Sequence, residues 1–134
     1  MSAGGLAPSI TTLQAAAVAL GAATGALLRW ITGLALNGLW PGFPLGTLLV
    51  NALGGLLIGA AMVWFSRSPD ELLRLLLVTG LLGGFTTFSS FSAESLGLLQ
   101  RGDYALALLH SLAHLLGALA CTAMGYAVAR ALLR

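Results

Sequence analysis

The residues with the most chemical potential in this sequence lie inside apolar stretches. The densest run is Gly80-Leu-Leu-Gly83-Gly84-Phe85-Thr86-Thr87-Phe88-Ser89-Ser90-Phe91-Ser92. It opens apolar and becomes rich in glycine and hydroxyls. Paired glycines followed by threonines weaken a helix. A helix broken at bilayer depth presents free carbonyls on one half and free amides on the other. Such groups suit ion binding. Phe88 and Phe91 are three apart and share a helical face, and an aromatic ring has a positive edge that an anion can approach. The plainer alternative is a packing stretch whose hydroxyls bond their own backbone.

Further polar groups are scattered through the other apolar stretches. Asn51 brings two amide hydrogens, as a donor to an ion or as a bond between helices. Arg29 is the only charge in its segment and either snorkels toward the interface or attracts anions. Glu94 reads equally as an interfacial charge and as an ion-handling group. His110 and His114 share a helical face that Gly117 and Cys121 continue, with Ser111 a neighbouring candidate. A neutral imidazole donates one hydrogen bond, and a protonated one attracts anions. Interhelical bonding is the alternative. The spacing also permits zinc, but no acidic or further histidine ligand is apparent beside the pair.

The usual catalytic arrangements do not occur, so an enzyme is not expected. Asp70 and Glu71 are adjacent in a polar link, and no cysteine–histidine metal pattern is present. No glycine-rich phosphate loop ends in Lys-Ser/Thr.

The elements that must carry these groups follow from composition. Of 134 residues, 58% are hydrophobic and 7% are charged, against roughly 25% charged in soluble domains. Six arginines and no lysine face four acids, for a net charge of +2. That is no clustered basic face, which excludes a nucleic-acid partner. The single cysteine, Cys121, excludes an internal disulfide. No Lys or Arg precedes Arg29, so the first apolar segment reads as a retained helix and not a signal peptide.

Four segments are long and apolar enough to cross a bilayer, which needs about 20 such residues. They span approximately residues 11–36, 45–65, 72–99 and 104–129. The expected fold is an all-α membrane protein with four transmembrane helices and a broken third helix. One transmembrane domain covers 1–134. Asn37 to Pro44 is a turn-rich link with interfacial aromatics. Ser68-Pro69-Asp70-Glu71 looks like a helix start with Ser68 as cap. The break in the third helix is expected over Gly83 to Thr87. Both termini lie on one side, with Arg67, Arg74, Arg130 and Arg134. Arg101, and Arg29 if it snorkels, lie on the other, a modest bias toward termini inside. Gly21/Gly25, Gly55/Gly59 and Gly80/Gly84 are each four apart, a spacing that lets helices pack closely.

The stretch Gly83 to Ser92 followed by Glu94 resembles the central motif of the Fluc/CrcB fluoride channels. Gly25-Ala-Leu-Leu-Arg29-Trp30 and Gly46-Thr47-Leu-Leu-Val-Asn51-Ala-Leu-Gly54 resemble that family's first- and second-helix motifs. Motif order and helix count agree over nearly the whole chain. The resemblance implies a passive, fluoride-selective channel in the bacterial inner membrane, an antiparallel dual-topology homodimer that exports fluoride and reduces its toxicity.

By that resemblance, Asn51 is a pore donor, Phe88 and Phe91 are aromatic walls, and Ser89 and Ser90 supply hydroxyls. Thr47 and Glu94 match polar positions near the entrance, and Arg29 matches the first-helix arginine. The carbonyls of Gly83 and Thr86 would hold a structural Na+ between subunits. His110 and His114 depart from the tyrosine and serine that the family often carries on its fourth helix. Two other classes compete. A small multidrug exporter needs a membrane-embedded carboxylate in its first helix, where this chain has an arginine. A scaffold subunit needs no donor-rich break.

Overall fold

The computed structural model describes residues 9–134. Among them every regular element is helical. Four spans are long and apolar enough to cross a membrane: α1 (Thr12–Leu36), α2 (Leu45–Arg67), α3 (Glu71–Gln100) and α4 (Tyr104–Leu132). The chain is a multi-pass membrane protein. α2 packs chiefly on α4, α1 on the first half of α3, and the second half of α3 on α4.

The ends of the helices follow local chemistry. Thr11 caps α1 through a reciprocal pair of bonds with Gln14, which satisfies two otherwise orphaned groups. Asp70, and not Ser68, caps α3: its side chain accepts from the Leu73 amide at 2.9 Å. Ser68 instead closes α2, its amide donating to the Trp64 carbonyl. A carboxylate is the better cap at the positive end of a helix, so the start lies two residues later than the sequence pattern suggests.

α3 is the irregular element. It begins as Glu71–Arg74, widens into a π-type stretch over Leu75–Leu82, and returns to α-geometry at Gly83–Phe85. Extended backbone follows at Thr86 (ψ 158°) and Thr87 (φ −151°). The second half-helix is Phe88–Gln100. The break is therefore real but confined to two threonines; Gly83 and Gly84 remain helical. Their role is close approach: a Cβ on Gly84 would overlap the Ala22 carbonyl, and one on Gly80 would stand 2.8 Å from the Val18 carbonyl and 2.9 Å from the Gly21 Cα. The glycine stripes of α1 and α3 thus let two backbones touch. Gly55 and Gly59 do the same for α2 against α4, meeting the carbonyls of Ala118 and Thr122. In lipid such contact is gained through dispersion, because apolar burial between helices supplies little there.

Large apolar side chains remain exposed on every span, among them Leu20, Trp30, Leu57, Met62, Leu115 and Leu119. Lipid or another apolar surface is their natural environment.

Candidate functional site

The break in α3 is held by one side chain from α2. In a continuing helix the Thr87 amide would bond the Gly83 carbonyl. Instead it donates to Asn51 Oδ1 at 2.8 Å, while Asn51 Nδ2 donates to the Thr87 carbonyl at 2.9 Å. Asn51 thereby replaces a backbone partner with a two-point mimic, which is what an irregular backbone at membrane depth requires. Thr87 repeats the device one turn on. Its hydroxyl accepts from the Ser90 amide at 3.1 Å and caps the second half-helix.

The end of the first half-helix is also satisfied by side chains. Thr86 Oγ1 donates to the Leu82 carbonyl at 2.9 Å. Arg29 Nε reaches across from α1 and donates to the Gly84 carbonyl at 3.0 Å. A cation at a helix C-terminus also complements its dipole. Arg29 therefore turns inward and caps the first half-helix. The diversion of the Thr87 amide leaves the Gly83 carbonyl without that helical donor.

Beside the break, α4 contributes both histidines. His114 is 4% exposed and His110 wholly buried. Asn51 Nδ2 lies 3.1 Å from His114 Nδ1. His110 Nε2 lies 3.2 Å from Glu94 Oε2, and its Nδ1 lies 2.9 Å from Ser95 Oγ. Glu94 Oε1 accepts from Thr47 Oγ1 at 2.6 Å, and the Thr47 amide donates to Asn37 Oδ1 at 3.1 Å. A continuous polar track thus runs from Asn37 and Thr47 through Glu94 and His110 to His114, Asn51 and Thr87. Its rings are in contact as well. Phe91 lies 4.7 Å from His114 and stacks 5.5 Å from His110 at 15°, the two imidazoles are 4.5 Å apart, and Phe43 sits edge-on to His110 at 5.3 Å.

A cavity of about 470 Å³ adjoins this track, lined in part by Asn51, Gly83, Thr86, Phe88, Phe91 and His114. Phe88 pairs with Phe91 at 5.3 Å yet is 79% exposed. The Ser90 amide donates to the Thr87 hydroxyl, and Ser89 Oγ lies 3.3 Å from that hydroxyl at the exposed side of the break. The structure thus gathers Thr47, Asn51, Phe91, Glu94, His110 and His114, and places Arg29 behind the break.

Three relations were not legible in the sequence. Arg29 reaches Gly84, Ser95 joins the histidine track, and Glu94 stands beside His110. The last supplies the acid that the histidine pair lacks along the chain: Glu94, His110 and His114 can each offer a ligand atom within 4.8 Å of the others. Ser95 faces α4, its hydroxyl 2.9 Å from His110 Nδ1, a register that depends on where the break falls.

A family model described as CrcB-like protein, Camphor Resistance (CrcB), matches residues 16–126. A relative from Bordetella petrii is 51% identical over 92% of this chain and 97% of its own length. One from Aromatoleum aromaticum is 51% identical over 83% of this chain and 86% of its own. One from Escherichia coli is 46% identical over 82% and 89%. Each of the three bears the name fluoride-specific ion channel FluC.

Proposed function

This chain belongs to the CrcB family, and on that premise we propose that it is a fluoride-selective passive channel that lets fluoride leave the cytoplasm and so lowers its toxicity. The observation that carries the reading is the polar track beside a broken membrane helix, built from polar side chains and aromatic rings. Fluoride is small and strongly hydrated. A path for it must offer close donors without a fixed opposite charge that would trap it. Thr47, Ser89, Ser90, Asn51, His110 and His114 supply polar groups, and Phe88 and Phe91 supply ring edges. Glu94, bonded to Thr47 and His110, belongs to the vestibule. Arg29 adds positive potential behind the break.

The functional unit is an antiparallel homodimer with dual topology, in the bacterial inner membrane, each chain a single channel domain over 1–134. Phe88, 79% exposed at membrane depth, and the apolar flank of the cavity support a second chain there. Four helices are also too few to enclose a path easily. Na+ fits the centre of such a dimer. The Gly83 carbonyl is relieved of its helical donor by Asn51, Thr86 turns its carbonyl off the helical direction at ψ 158°, and both residues line the same cavity. Two such pairs, one per chain, would present hard oxygen donors. The ion would supply a fixed positive charge and a clamp between subunits.

The test is efflux from liposomes loaded with fluoride. Purified protein should release fluoride without ATP or a proton gradient and release chloride poorly. Replacing Phe88 or Phe91 with isoleucine should suppress flux while the protein still folds. Equal chloride efflux, or none of fluoride, would refute the proposal.

A further inference from the structure

The hydrogen bonds around Asn51 determine where a proton sits on the His114 ring beside it. The Thr87 amide can only donate, so the Asn51 atom facing it must be the oxygen. Nδ2 then carries both amide hydrogens. One goes to the Thr87 carbonyl, and the other points at His114 Nδ1. An N–H facing Nδ1 requires a lone pair there. A neutral imidazole has one N–H and one lone pair, so the His114 proton resides on Nε2. Among the described residues, Nε2 is the only buried side-chain nitrogen or oxygen without a hydrogen-bond partner. His110 differs. Its Nε2 meets the Glu94 carboxylate and its Nδ1 meets the Ser95 hydroxyl, so both of its nitrogens are spent. Asn51 has no free hydrogen either.

We propose that His114, through its Nε2–H, is the side-chain donor that binds the permeating anion beside this cavity, and that Asn51 is a positioning residue that locks the imidazole in the donating tautomer. The inference rests on the fluoride-channel reading and assigns the donor within it. A buried N–H without an acceptor is costly, and a small anion relieves that cost. Phe91 touches the imidazole, and both residues line the cavity. The same tautomer argues against a metal on Glu94, His110 and His114. Ligation through Nε2 would require a proton on Nδ1, opposite the Asn51 N–H. His110 is free of that conflict, because the Ser95 hydroxyl can either donate or accept.

The first measurement is the solid-state NMR spectrum of the full chain in lipid with ¹⁵N-labelled histidine. Wild-type His114 should carry its proton on Nε2. Asn51→Asp, whose ionised carboxylate can only accept, should place a proton on Nδ1. A wild-type Nδ1–H tautomer would overturn the proposal without any variant having to fold. The second is fluoride efflux from liposomes. His114→Phe keeps the ring and removes the donor, and should slow efflux at least about tenfold, the worth of one charge-assisted hydrogen bond. Micromolar zinc should leave wild-type efflux unchanged. Wild-type speed in His114→Phe, or a zinc block that His114→Phe abolishes, would overturn it. Absence of wild-type efflux would instead sink the channel reading, while the NMR result would still stand or fall on its own.

Discussion

Arg29 provides a test in which two roles of one side chain separate. Its Nε donates to the Gly84 carbonyl at 3.0 Å, at the end of the first half of α3. Glutamine places its amide nitrogen the same number of bonds from the backbone as arginine places Nε, and methionine places a methyl group there. Arg29→Gln therefore keeps the cap and loses the charge; Arg29→Met loses both. Each variant removes a cation from membrane depth, so any relief from that burial is common to the two and cancels in their comparison. What remains is the bond to Gly84. Hydrogen bonds between transmembrane helices contribute about 0.6 kcal/mol on average and up to about 1.7, and a buried carbonyl left unpaired costs about 1–3 kcal/mol. Arg29→Met should thus be less stable than Arg29→Gln by about 1–2 kcal/mol, a factor of about 5–30 in the folded ratio. The assay is reversible denaturation in mixed micelles, read by circular dichroism. Equal stability of the two variants would refute the capping role. Fluoride efflux measured on Arg29→Gln then reports the charge alone: slowed flux with retained stability assigns Arg29 a second part in attracting anions.

Further outcomes follow from positions on α2, α3 and α4. Gly80→Ala pushes a methyl group to within 2.8 Å of the Val18 carbonyl and 2.9 Å of the Gly21 Cα, so it should lower stability by about 1–3 kcal/mol. Gly117→Ala, with nothing within 4 Å of its Cβ position, should be neutral or stabilise by up to about 1 kcal/mol; denaturation midpoints of the pair decide it. Thr47→Val deletes the 2.6 Å bond to Glu94 at nearly constant volume. It should slow fluoride efflux several-fold, with Thr47→Ser restoring most of the rate; no change in Thr47→Val would show that this hydroxyl is idle.

The number and limits of the membrane spans were legible in the sequence, because a bilayer core imposes a length and an apolar composition on any segment that crosses it. The spans expected at 11–36 and 104–129 end within three residues of the observed limits. The glycine pairs were legible as packing surfaces for the same kind of reason: spacing on a helix is a local property. So was the existence of a break in α3, from the change of composition after Gly84.

Its position was not. Glycines are weak helix formers, yet Gly83 and Gly84 stay helical, since in lipid a backbone leaves the helix only where other groups meet its hydrogen bonds. Those groups come from α2 and α1, distant in sequence: Asn51 for Thr87, and Arg29 for Gly84. The same holds for the polar groups singled out at the beginning. Residue type showed that Asn51 could donate and that His110 and His114 shared a face. Only tertiary structure decided that Asn51 spends both hydrogens within the chain, that Glu94 stands beside His110, and that one buried side-chain nitrogen among the described residues, His114 Nε2, is left without a partner. Residue type sets the inventory of donors and acceptors; which of them remain unpaired depends on contacts between helices, and a local pattern does not encode those.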